Sequence, residues 1–207
     1  EVKNQSQSIK IHEKKLVLEP TFVKPEALVV VRETALLFPF KVSARNYQPV
    51  IRSLCHDTVR NTQVAQDIML SAQTGKKCLV LTERKEHVEL LAEYLKRDFE
   101  LICLTGDLPA SKKKEKEKQI LSGHFQIILA TGQLVGEGVH FPHLDELFLV
   151  FPFSFEGKLT QYMGRILHSD SVAKTIYDYN DKNVPYFERM FKKRKKYYER
   201  KYPSEQL

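Results

Sequence analysis

Residues 130–169 read ATGQLVGEGVHFPHLDELFLVFPFSFEGKLTQYMGRILHS, and the fold follows from how this stretch changes character along its length. It opens on the end of an apolar strand, Gln126–Ala130, closed by Thr131 and Gly132, and then Gly136, Glu137 and Gly138 form a glycine-rich turn. A second apolar run follows from Glu146 to Phe151. Beyond it, Leu159, Tyr162, Met163 and Ile166 recur at helical spacing, which leaves Gln161 and Arg165 on other faces of the same helix. A strand, a turn, a strand and a helix in succession are the unit from which parallel sheets are built.

The same alternation extends outward from there. Short runs at Cys78–Thr82, Leu101–Thr105 and Lys174–Tyr179 are apolar on both sides, as strands covered by helices on both faces must be. Between them, Val88, Leu91, Ala92 and Leu95 mark one helix, and Ser111–Leu121 marks another with Ser111 as its N-cap. Tyr47–Gln73 reads as one or two helices, with Asp57 a cap between them. Ahead of these, Leu16–Leu18 and Leu28–Val31 read as strands among prolines, so 1–44 is expected to be a lead-in from a neighbouring lobe. Residues 45–182 then form the domain, and 183–207 a basic C-terminal helix. The first residue is Glu, so the chain is expected to be part of a longer protein.

Composition bounds the function. The 207 residues are 42% hydrophobic, enough for a core, and no apolar run approaches the ~20 residues of a membrane-spanning helix. Cys55, Cys78 and Cys103 are too widely spaced for a zinc or redox motif and odd in number. Buried thiols in a cytoplasmic protein are the expectation. The net charge is +7, and Tyr186–Tyr202 alone carries eight Lys or Arg against two Glu. A second run, Lys112–Lys118, has five Lys against two Glu and reads as a solvated helix face.

Few site chemistries survive. The phosphate loop G-x-x-x-x-G-K-[ST] is absent, since TGKK at 74–77 lacks the earlier Gly and the hydroxyl residue, and DEL at 145–147 is no magnesium-binding acidic motif. His140 and His143 flank Phe141 and Pro142 and lack a third ligand, so no metal site is assigned. HEKKLVLE at 12–19 echoes the H-x-K motif of phospholipase-D-type nucleases but ends in Glu and has no second copy.

Four stretches together carry a resemblance. CLVLTERKEHVELLAEYL, LTGD, ATGQLVGEG and QYMGRILH occur in the order, and at the spacing, of motif IV, the turn after it, motif V and motif VI of superfamily 2 helicases, and TIYDYND matches the closing strand. From about Val50 to Asp181 the chain thus resembles the second, C-terminal RecA-like lobe of the DEAD/DEAH-box group, most closely its bacterial branch related to restriction-enzyme motor subunits. The implied fold is α/β: a three-layer RecA-like (P-loop NTPase-type) sheet, mostly parallel, with helices on both faces.

The resemblance also implies a division of labour. ATP with Mg2+ would lie between this lobe and an N-terminal RecA-like lobe, which would hold the phosphate loop and metal ligands. Arg165 would reach the transferred phosphoryl group, Gln161 would contact phosphate or the opposing acidic motif, and His168 occupies the place of a second arginine. Gly136, Glu137, Gly138 and His140 would line the nucleotide cleft, His140 standing where the family usually has Asp. Nucleic acid, DNA in preference to RNA, would run past Thr82, Glu83 and Arg84, Thr105 and Gly106, and Thr131 and Gly132. The helix with Lys192, Lys193, Arg194, Lys195 and Lys196, interleaved with Tyr197, Tyr198 and Tyr202, would add electrostatic attachment. The two histidine departures leave a second reading, a non-catalytic nucleic-acid-binding module of the same fold. A small-molecule nucleotide enzyme would need a phosphate loop of its own.

Overall fold

The computed structural model describes residues 27–136, 141–154, 156–167 and 174–202. The elements run in chain order β1 (Ala27–Glu33), α1 (Tyr47–Cys55), α2 (Thr58–Gln73), β2 (Cys78–Thr82), α3 (Lys85–Leu95), β3 (Leu101–Leu104), α4 (Ala110–Leu121), β4 (Ile127–Thr131), α5 (Gly132–Gly136), β5 (Glu146–Leu149), α6 (Glu156–Leu167), β6 (Lys174–Asn180) and α7 (Pro185–Lys201). The six strands form one sheet in the order β1-β6-β5-β2-β4-β3, and every pairing is parallel. With all strands pointing one way, their carboxyl ends lie along a single rim, where ligands of such sheets bind.

Side chains alternate across each strand and sort into two layers. Leu79, Leu81, Ile128, Ala130, Leu147, Leu149 and Ile176 face α4, α5, α6 and the end of α7. Cys78, Val80, Ile127, Leu129, Phe148, Val150 and Tyr179 face α2 and α3. A third cluster, Leu36, Val42, Val50, Ile51, Leu54, Phe151, Val184 and Phe187, joins α1 and the start of α7 beyond the ends of the sheet.

Most elements match the sequence reading, and Asp57 caps α2 by accepting the Arg60 N–H at 2.7 Å. Four expectations need correction. β1 is no lead-in: it pairs residue for residue with β6, from Ala27 against Lys174 to Glu33 against Asn180, so the domain begins well before residue 45. The strand read at Leu16–Leu18 lies outside the described residues. α4 is capped two residues earlier than expected, by Pro109 rather than Ser111, because the Pro109 carbonyl already accepts the Lys113 N–H at 2.9 Å. Between Thr131 and Gly136 the chain makes the short helix α5 instead of passing straight into a turn.

The fourth correction concerns α7, which is part of the domain and not an appendage. Phe187, Phe191, Arg194, Tyr197 and Tyr198 recur every three or four residues along one face and are all buried. Arg194 and Asp178 of β6 form a fully buried, two-point ion pair, with distances of 2.8 and 2.7 Å. A second buried pair, Arg60 with Asp181 at 2.7 Å, ties α2 to the segment after β6, and Thr34 donates to the same Asp181 at 2.6 Å.

Candidate functional site

The rim gathers the three sequence-predicted segments Thr82–Arg84, Thr105–Gly106 and Thr131–Gly132, because β2, β4 and β3 are neighbours in the sheet. The Thr82 and Thr105 hydroxyls, however, are buried and engaged. Asn61 donates its amide to the Cys55 carbonyl at 2.7 Å, so its oxygen faces His87 Nε2 at 3.1 Å and fixes a proton there. His87 Nδ1 is then an acceptor for the Thr82 hydroxyl at 2.8 Å. Thr82 therefore has no proton left for a phosphate. The Thr105 hydroxyl donates to Asp107 Oδ1 at 2.6 Å, and Lys85 donates to Oδ2 at 2.5 Å. Lys85, and then Thr105, hold the Asp107 carboxyl down at about 2.

Glu83 also departs from its expected role. Its carboxylate accepts the Tyr162 hydroxyl at 2.6 Å and the Lys158 ammonium at 2.8 Å, both from α6. Burial, reinforced by the Glu83 charge, pushes the Tyr162 phenol far above its ordinary range, so it remains a donor. Gly132 sits against the same pair: a Cβ there would lie 1.7 Å from the Tyr162 oxygen and 2.5 Å from Glu83 Oε1. Steric contact with α6 accounts for this glycine. Gly106 is different, since a Cβ would meet only the Gln133 amide at 3.5 Å.

On α6, Leu159, Tyr162 and Met163 are buried and Gln161 is exposed, as the periodicity predicts. Position 165 follows one turn after Gln161 on the same face. The side chain of Arg165 lies outside what the structure describes, as do Glu137, Gly138, His140 and His168; Gly136 is the last residue of α5. Beside the rim, Tyr47, Gln48, Glu83, Arg84, Phe153 and Lys158 surround a cleft of about 350 Å³. Neither Lys158 nor Tyr162 had been singled out as a partner of Glu83, although their four-residue spacing places them on one helix face.

The basic stripe on α7 is narrower than expected. Lys192, Lys193, Lys195 and Lys196 are exposed, but Arg194 is 3% exposed and held by Asp178, and Tyr197 and Tyr198 pack in the core. Those three cannot meet a nucleic acid without unfolding the helix. Lys192 is paired with Glu188 at 2.9 Å and Lys195 lies 3.8 Å from Glu199. Among the described residues no group of His, Cys, Asp or Glu is arranged to hold a metal ion, and no helix is long and apolar enough to cross a membrane.

His87 gives the site a pH signature. Complete burial, and then the charges of Arg60 and His56, lower its pKa from 6.5 to about 3. Above pH 6.5 the ring is neutral whether folded or unfolded; below it the unfolded chain gains a proton that the folded one refuses. Stability is therefore full above pH 6.5 and falls as the pH drops toward 3, by at most about 1.4 kcal/mol per pH unit from this group. Unfolding free energies measured between pH 6.5 and 4.5 are expected to show this slope, and His87→Asn to flatten it; an equally steep profile in the variant would assign the slope to other groups.

Residues 60–169, more than half of the chain, match the family model of the helicase conserved C-terminal domain, and the chain belongs to that family. Among curated proteins it is 31% identical over 71 residues to DEAD-box ATP-dependent RNA helicase 9 of Oryza sativa subsp. japonica, covering 34% of this chain and 11% of the relative. It is 25% identical over 130 residues to transcript termination protein A18 of Fowlpox virus (strain NVSL), covering 61% of this chain and 28% of the relative. The chain thus spans about a tenth and about a quarter of those proteins. Among solved structures, T4 UvsW superposes with a TM-score of 0.64 at 16% identity, covering 84% of this chain and 39% of that one. The C-terminal domain of the DEAD-box protein Dbp5 superposes with a TM-score of 0.52 at 13% identity, covering 84% and 86%. The fold is the RecA-like α/β fold of superfamily 2 C-terminal lobes. None of these relatives is described as a restriction-enzyme motor subunit, so the assignment stands at the level of the superfamily.

Proposed function

We propose that this chain is the C-terminal motor lobe of an ATP-dependent nucleic-acid helicase or translocase, with ATP and Mg2+ held between it and an N-terminal RecA-like lobe. One observation carries the reading: α6, which exposes Gln161 and carries position 165 one turn beyond it, is tied through Glu83 to the rim that bears the three predicted nucleic-acid segments. The N-terminal lobe would hold the metal, which would supply charge compensation for the phosphates of the nucleotide. Arg165 would offset the negative charge that develops on the oxygens of the transferred phosphoryl group, and Gln161 would orient the nucleotide. Since the Thr82 and Thr105 hydroxyls are internally bonded, the nucleic-acid backbone is gripped mainly by main-chain N–H groups and by cations at the rim, Arg84 among them. Such contacts ignore sequence, which translocation requires. Duplex DNA is the first substrate to test, RNA the second.

The half-site reading has a direct test. The purified 207-residue chain is expected to hydrolyse no ATP above background with Mg2+ and nucleic acid, and the full-length protein with both lobes to do so. Robust turnover by the chain alone would overturn the shared site. Full-length protein that binds nucleic acid without any turnover would favour the non-catalytic module that His140 and His168 suggest.

A further inference from the structure

We propose that Glu83 is the positioning residue of the ATP-facing helix α6, and not part of the nucleic-acid track. The inference rests on the reading of Arg165 as the residue that reaches the phosphoryl group. Glu83 is the residue immediately after β2, at the centre of the sheet, so its backbone is fixed by strands on both sides. Its two carboxylate oxygens take different partners one turn apart on α6: Oε1 accepts from Tyr162 at 2.6 Å and Oε2 from Lys158 at 2.8 Å. Two points on one helix face, held by one rigid group, fix both the rotation of the helix about its axis and its shift along it. Gly132 closes the third side, because its missing Cβ is what lets Tyr162 and Glu83 approach the start of α5.

Turned this way, the carboxylate serves α6, and its negative charge is offset by Lys158 at a rim meant for phosphates. Gln161 adjoins Tyr162 in sequence, and position 165 lies less than one turn beyond Tyr162. Any rotation of α6 released by losing Glu83 is therefore passed directly to both. A misplacement of about 1 Å in a reacting constellation can cost roughly a hundredfold in rate, so the anchor is felt in turnover without touching the nucleotide.

The experiment uses the full-length protein and compares Glu83→Gln, Tyr162→Phe, Arg165→Ala and the double variant Glu83→Gln with Arg165→Ala. The first two keep the size of the side chain and the packing of the ring. Expected are a fall in kcat for ATP of roughly ten- to a hundredfold for Glu83→Gln, a smaller fall for Tyr162→Phe, and KM for nucleic acid unchanged in both. Because Glu83 acts through Arg165 and Gln161 together, adding Glu83→Gln to Arg165→Ala should lower kcat by less than the product of the two separate effects. The proposal is overturned if Glu83→Gln leaves kcat intact, if it raises KM for nucleic acid instead, or if its effect multiplies with that of Arg165→Ala. Should Arg165→Ala itself leave kcat intact, the functional reading fails, and the anchor falls with it.

Discussion

Arg165→Ala in the full-length protein is expected to lower kcat for ATP by roughly a thousandfold or more while leaving nucleic-acid affinity unchanged, since an arginine supplied across a phosphoryl-transfer site is worth ~10³ to 10⁵ in rate. The size follows from where the charge develops. As the terminal phosphoryl group transfers, negative charge spreads over its oxygens in a site closed from water, and a fixed guanidinium there acts at low dielectric without reorganising. Position 165 suits this task because it follows the exposed Gln161 by one turn of α6, while Leu159, Tyr162 and Met163 anchor the helix in the core. Arg165→Lys should rescue little, because an ammonium keeps the charge but loses the planar two-point fork. Steady-state turnover with saturating nucleic acid, alongside a binding titration, separates the two effects. Unchanged turnover in Arg165→Ala would remove it from the site.

The legible part of the fold was local. β2 to β6 announce themselves as short runs apolar on both sides, and α3 and α6 as apolar stripes at helical spacing, so their order alone points to a parallel sheet. β1 was recognisable as a strand but not as a member of the sheet, because its partner Lys174–Asn180 lies far along the chain and nothing near Ala27 specifies that pairing. Arg194 was misplaced for a related reason. Among Lys192, Lys193, Lys195 and Lys196 it looks like one more surface cation, yet it falls on the stripe of Phe187, Phe191 and Tyr198, where only a buried partner such as Asp178 makes it tolerable. Thr82 and Glu83 show the same limit at the site. Sequence places them at a strand end, but only the fold reveals that His87 and α6 have already claimed their polar atoms.

Asp178→Ala is expected to cost about 3–5 kcal/mol, a large share of the ~5–15 kcal/mol that holds a typical domain together. Asp178 is fully buried and accepts from Arg194 Nε at 2.8 Å, Arg194 Nη2 at 2.7 Å and the Tyr198 hydroxyl at 2.7 Å. Burial pulls the Arg194 pKa down, but the charge of Asp178 and the hydrogen bonds to it bring it above its ordinary value, so the guanidinium stays charged. Removing the carboxylate strands a guanidinium between the rings of Phe153 and Phe191, at 4.8 and 5.6 Å, in a buried site. The penalty is that of an unpaired buried charge and not the net worth of the pair, so replacing both residues should recover most of it. Asp178→Leu combined with Arg194→Met is therefore expected to unfold at a denaturant concentration well above that of Asp178→Ala. A loss below ~1 kcal/mol in the single variant would place the pair in the range of solvated surface bridges. The same network governs how the basic helix must be tested. Deleting Tyr186–Leu207 would remove Phe187, Phe191, Arg194, Tyr197 and Tyr198 from the core, so weaker nucleic-acid binding by that truncation would report unfolding; charge reversal confined to the exposed Lys193 and Lys196 isolates attachment from stability.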